Sequence, residues 1–375
     1  MGAMLYNILP LFIGAAQDDR GLSDRQVGFV ASIFFVGFGL LASTSYFWLR
    51  KVNWQKVIIV AVMVAIGCLI SITLIPGYTF MLIGILLAGG ALGLIYAIGT
   101  TILGDTSNPA RYFGLKISSE ILLGILLLFS LPVLVLDDWG FNGLVITLAG
   151  LTLILSTAFF WIPATGVKGA EAKHDPKHSK APAFAVTVSL LGIFFFYAGM
   201  SSVWVYMERL AVDADIADSV IGRVLSASLF VSLCAALSAA ALANKLGRRI
   251  PIVAGLLVIV LANYMFTLSL TLSTYALAAC LFNAAFAFTL PFLIALIASM
   301  DAVGRFVILT VPAIAFGNIL GPAIAGDLIG SHGYDGVMIL AICTTVLTGV
   351  LVLTGIKADA GRRKASVEPV ETHLV

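Results

Sequence analysis

Gly21-Leu-Ser-Asp-Arg-Gln-Val-Gly28-Phe-Val-Ala-Ser32 returns, altered but recognisable, as Asp215-Ile-Ala-Asp-Ser-Val-Ile-Gly222-Arg-Val-Leu-Ser226. Gly28 falls on Gly222 and Ser32 on Ser226, both 194 residues apart. The same offset carries Arg111-Tyr112 onto Arg305-Phe306. One residue out of step, Gln55-Lys56-Val57 matches Arg248-Arg249-Ile250. Three ordered matches at nearly one offset point to a duplicated half, a plan that places a binding site near the midplane between the halves.

The halves are apolar. Of 375 residues, 61% are hydrophobic and 11% charged, against roughly 25% charged in soluble domains. So few charges cannot cover a soluble surface, and lipid must be the main solvent. A helix that crosses a bilayer needs about 20 apolar residues. Such runs lie near 1–16, 27–49, 57–76, 80–103, 113–136 and 142–162, and again near 184–207, 220–243, 250–271, 275–299, 305–329 and 336–356. Run length and the lack of alternating polarity favour helices over barrel strands. The expected fold is an all-α integral membrane protein, with twelve transmembrane helices in two pseudo-symmetric six-helix bundles. Residues 1–162 form the first bundle, 163–183 a cytoplasmic linker, 184–357 the second bundle and 358–375 a disordered cytoplasmic tail.

Charge placement sets the orientation. With the linker inside, the inner loops and tail receive sixteen Lys and Arg, while the outer loops receive only Arg20, Arg25, Arg209 and Arg223. Cations favour the cytoplasmic side, so both termini are expected there, and a bacterial plasma (inner) membrane is the expected location. Net charge is only +2 and gives no reason to expect a nucleic-acid partner. Cys68, Cys234, Cys280 and Cys343 sit in apolar runs without ligand spacing and read as small core hydrophobes, so no metal or other cofactor is expected. The apolar start lacks a basic region before it and a cleavage site after it. Span seven begins near Phe184; by the repeat, span one should start about ten residues before Met1, so a truncated first helix is expected.

The loop between spans eight and nine, Ala240-Ala-Leu-Ala-Asn244-Lys245-Leu-Gly247-Arg248-Arg249, resembles the signature loop of the major facilitator superfamily. That loop usually reads Gly, three residues, Asp, Arg, any residue, Gly, Arg, then Arg or Lys. Here Asn244 replaces the acid and Ala240 the first glycine. The resemblance implies a secondary carrier whose Asn244, Lys245, Gly247, Arg248 and Arg249 form a gating loop that helps latch the halves on the cytoplasmic side. Without a carboxylate, Asn244 offers only neutral hydrogen bonds, and the cations equally serve topology. The first-half copy, Trp48-Leu-Arg50-Lys51-Val-Asn53-Trp54-Gln55-Lys56, keeps charge but loses acid and glycine. Neither the glycine-proline pattern of the superfamily's drug–proton exchangers in span five nor the sugar-porter pattern after span six is present.

Of 40 charged residues, only Lys116 and Glu120 fall clearly within a span; Asp327 and Glu208 lie near outer ends. Counted from Arg111, Glu120 lies roughly 13 Å into a core about 30 Å thick. Lys116 stacks one turn away on the same face. Intramembrane charge marks a pathway or site by default. In a functional reading Lys116 attracts an anionic group of the substrate and Glu120 binds and releases the coupled proton; in a packing reading the two form a private ion pair. The functional reading is favoured, because apolar groups serve packing at less desolvation cost.

In the superfamily, spans one, four, seven and ten usually wall the central cavity. By that resemblance Tyr6, Asn7, Tyr96, Thr100, Tyr197, Ser201, Trp204, Tyr206, Asn283, Phe286 and Thr289 are candidate lining residues. Asn7, Tyr96, Tyr197 and Asn283 are the leading substrate contacts beside Lys116, and Trp204 and Tyr206 equally fit an outer aromatic belt. The expected activity is proton-coupled symport of a small organic anion, a carboxylate, by a functional monomer in the lipid bilayer. The alternative is a proton-coupled exporter of hydrophobic compounds. A membrane enzyme or a non-transporting sensor is remote: none of the four histidines lies in a span, and no ATP-binding glycine loop occurs.

Overall fold

A computed structural model describes residues 2–104, 109–164, 183–242, 247–300 and 309–365. Among them there is no strand. The helices run α1 (Met4–Asn7), α2 (Leu9–Arg20), α3 (Asp24–Trp48), α4 (Trp54–Leu74), α5 (Tyr78–Gly104), α6 (Pro109–Leu131), α7 (Asp137–Ser156), α8 (Ala183–Asp213), α9 (Asp218–Leu242), α10 (Arg249–Phe266), α11 (Leu272–Met300) and α12 (Thr310–Ala365). Nine helical stretches among the described residues are long and apolar enough to cross a membrane.

Two of these stretches are too long for one crossing. Ser118–Trp161 holds 44 residues and Thr310–Ala360 holds 51, lengths of about 66 and 76 Å at 1.5 Å per residue, against a hydrocarbon core of about 30 Å. Each is broken by a glycine that leaves helical geometry: Gly140 at φ 55°, ψ −153° and Gly333 at φ 65°, ψ −167°. The pair stands 193 residues apart, the slightly slipped offset of the repeat. Each half thus carries the same reversal, which hydropathy separates into two apolar runs.

The opening repeat is a turn followed by a helix. Gly21 ends α2 in the left-handed region, at φ 62°. Ser23 then caps α3, accepting from the Gln26 amide while the Gln26 side chain accepts from the Ser23 amide, so two free amides of the first turn are bonded. In the second copy Asp215 takes the Gly21 position and shares its backbone, with φ 57°. Asp is among the few side-chain-bearing residues that tolerate this conformation.

Packing repeats as well. α3 lies on α5 as α9 lies on α11; α4 touches α5 and α7 as α10 touches α11 and α12. Small residues allow the close approach: a Cβ on Gly93 would stand 2.8 Å from the Phe38 Cα. The halves meet along α2–α8, α3–α12 and α6–α9. Both repeat glycines lie on these seams. Gly28 faces the Tyr206 hydroxyl and the Pro322 carbonyl, and Gly222 faces the Leu128 carbonyl and the Pro132 ring. One turn on, the Ser226 hydroxyl donates to the Ile125 carbonyl across the α6–α9 seam at 3.1 Å. Its repeat partner Ser32 is buried and makes no hydrogen bond.

Large apolar side chains such as Phe47, Leu74, Trp139 and Trp161 are exposed around the outside, as expected where lipid is the solvent. The end that carries Gly21 and Asp215 is the outer end on the expected orientation. There residues 9–16 of α2 and 196–211 of α8 are buried without interruption, so the halves are shut against each other on this side.

Candidate functional site

The centre of the molecule is organised around the intramembrane charges. The Lys116 ammonium lies 2.7 Å from Glu120 Oε1, with the two side chains 14% and 20% exposed. It also sits 3.6 Å from the centroid of the Tyr96 ring, which brings α5 and α6 together through a cation–π contact. The Asn7 amide donates to the backbone carbonyl of Glu120 at 2.8 Å. Asn7 therefore anchors α1 to α6 beside the carboxylate and leaves the carboxylate itself to Lys116.

Aromatic rings pack beside the pair in the first half and form a second cluster in the other half. Tyr6 packs edge-on to Phe35 at 5.7 Å, and Phe38 lies 5.4 Å from Tyr96. From the second half Tyr197 meets Phe286 edge-on at 5.7 Å. Trp204 Nε1 donates to the Tyr6 carbonyl at 3.3 Å. Trp204 and Tyr206 are both buried, so neither belongs to a lipid-facing aromatic belt.

Of the leading candidates, the structure brings Asn7, Tyr96, Lys116 and Glu120 together, while Tyr197 packs on Phe286 and Gly317 in the second half. Asn283 goes elsewhere. Its amide donates to Ser228 Oγ at 3.1 Å and to the Ala279 carbonyl at 3.2 Å, so it ties α11 to α9 inside the second half. Thr289 packs on Gly255 of α10, and Thr100 bonds back to its own helix. A buried polar group on a packed helix turns to the nearest acceptor: for Asn283 that lies on a neighbouring helix, for Thr100 on its own, and the buried Thr289 hydroxyl bonds to none. In the signature loop, Asn244 and Lys245 lie outside the described residues. Gly247 turns at φ 62°, and Gly247, Arg248 and Arg249 are exposed at the start of α10.

A second charged cluster closes the outer end. Arg209 grips Asp18 with both branches of its guanidinium, Nη1 to Oδ1 at 2.7 Å and Nη2 to Oδ2 at 2.5 Å. Its Nε also bonds Glu208 at 2.8 Å. Charge reading places Arg209 in an outer loop and ends span seven at 207. The helix instead runs to Asp213, and Glu208 and Arg209 are 5% and 7% exposed. The sequence signal was the apolar Leu210-Ala211-Val212 that follows them. Nearby, Arg25 and Asp327 join α3 to α12 at 2.8 Å through side chains 67% and 53% exposed.

A family model described as Major Facilitator Superfamily matches residues 1–299 and 189–375. The chain belongs to the major facilitator superfamily. It is a membrane transporter rather than an enzyme. Among solved structures, a bacterial homologue of the human lysosomal transporter Spinster, inward-facing and occupied, matches with a TM-score of 0.74 at 14% identity, over 98% of this chain and 97% of that one. The nucleoside transporter NupG matches at 0.68 and 14% identity, over 95% and 96%. FucP in the outward conformation matches at 0.59 and 14% identity, over 94% and 98%. At such identities the likeness is one of fold. No curated protein sequence matches the chain.

Proposed function

We propose that this superfamily member is a secondary active carrier that moves a small organic anion, a carboxylate, in symport with protons. The observation that carries the reading is the 2.7 Å Lys116–Glu120 pair, set against the Tyr96 ring. A substrate carboxylate entering this space competes with Glu120 for the one ammonium at the site. Glu120, released from Lys116, is then the group that takes up the coupled proton. Substrate and proton therefore load together and leave together. The rings supply apolar surface to the rest of the solute, which suits an amphiphilic anion better than a polyhydroxylated sugar.

In this reading the twelve spans form two six-helix bundles, residues 1–162 and 184–357, that rock about the central site. The protein works as a monomer in a bacterial inner membrane with both termini cytoplasmic. The aromatic walls also favour a second reading, export of hydrophobic compounds, which a deletion strain separates by its drug sensitivity. The first reading is tested in proteoliposomes with Glu120→Gln and an imposed pH gradient. The expected result is uptake that no longer responds to the gradient, while exchange of labelled for unlabelled solute persists. Gradient-driven uptake that survives unchanged in E120Q rejects the proton role.

A further inference from the structure

At the outer end two carboxylates share one guanidinium. Asp18 comes from α2 and holds Arg209 across the seam between the halves. Glu208 comes from α8, beside Arg209 itself, and bonds both its Nε and its Nη2, the latter at 3.1 Å. The surroundings of the two acids differ. The Asp18 side chain is 55% exposed, whereas that of Glu208 is 6% exposed. The opposite half covers one side of Glu208: its carboxylate lies on Gly14 of α2, in the space that a Cβ there would fill.

Closure therefore adds to the burial of Glu208. When α2 and α8 part, Asp18 loses a partner but was already half in water. Glu208 keeps its neighbour Arg209 and gains hydration. Removing a carboxylate from water costs free energy that one shared guanidinium does not fully return. The second negative charge also shares one donor with Asp18, the guanidinium Nη2. Counted together, the cluster carries one positive and two negative charges.

We infer that Asp18 and Arg209 bolt the outer end shut, and that Glu208 opposes them, so that closure is held only lightly and the outer end can reopen in each cycle. Glu208 acts here through Arg209 and through its own burial against Gly14. The inference rests on the alternating-access reading above.

The test is a single reporter, Ala15→Cys, in a protein whose four native cysteines are replaced. Ala15 is buried beside Gly14, and a membrane-impermeant maleimide reaches it only when the outer end opens. Asp18→Asn should speed labelling severalfold. Glu208→Gln should slow it severalfold, although both changes remove an acid from the same cluster. Glu208→Met, similar in length and uncharged, should slow it too and serves if the glutamine variant does not fold. Faster labelling in both Glu208 variants overturns the inference, because Glu208 would then support closure; an unchanged rate overturns it as well. The assay needs no substrate, so it stands apart from the identity of the solute. A reporter silent in the parent and in D18N alike sinks alternating access at this end, and the inference with it.

Discussion

At Tyr96 a single ring decides where the Lys116 ammonium rests, 3.6 Å from its centroid and 2.7 Å from Glu120. Removing the ring should cost about 1 kcal/mol of cation–π energy, roughly fivefold in equilibrium terms. Tyr96→Leu should therefore raise the KM for uptake about fivefold with little change in kcat. Tyr96→Phe keeps the π face and should stay near the parent. Equal defects in the two variants would assign the effect to the hydroxyl. The Lys116–Glu120 couple is legible in the sequence because two charges four residues apart in an apolar run admit few explanations. Asn283 was less legible. A polar residue in a cavity-forming helix can face the cavity or a neighbouring helix, and one helix sequence does not say which face Ser228 will meet.

At the level of helices and turns, Gly21 and Asp215 hold the same left-handed turn at φ 62° and 57°. A β-branched residue at such a position costs roughly 1–2 kcal/mol. Asp215→Val should lower the thermal unfolding midpoint in detergent, and Gly21→Val should do the same, whereas Asp215→Asn should leave it nearly unchanged. A midpoint unmoved by either valine would deny that the turn constrains the fold. The sequence shows these stretches as a repeat but not as a turn, since Gly and Asp share tolerance of positive φ without announcing it, and the close approaches of Gly28 and Gly222 emerge only from the packing. The outer cluster was harder to read. Glu208 and Arg209 interrupt the hydropathy at 207 while the α8 backbone continues to Asp213, so an apolar count stops before Arg209, which closes the seam onto Asp18.

For the molecule as a whole, transport requires the two halves to move against each other. Arg25 and Asp327 face one another across α3 and α12 with both side chains more than half exposed. The double variant Arg25→Cys/Asp327→Cys, again without native cysteines, should be bridged by a short, reducible bifunctional thiol reagent added from outside. Bridging should abolish uptake, and reduction should restore it. Uptake that continues through a complete cross-link would mean that these helix ends keep their spacing through the cycle. The duplicated architecture was plain from the offset alone, because the same contacts recur in each half. The exact ends of the spans were not, because kinks at Gly140 and Gly333 let adjacent crossings run on as one helix.

The two repeat serines have a consequence for how such movement is shared. Ser226 stitches its seam to the Ile125 carbonyl, while Ser32, at the matching depth of the other seam, is bonded to nothing. A book bound along one edge opens at the other. At the depth of the two serines the α6–α9 seam should part later than the α3–α12 seam, whose own tie is the exposed Arg25–Asp327 pair, so the gap between the halves opens unevenly despite its ancestry in two like parts.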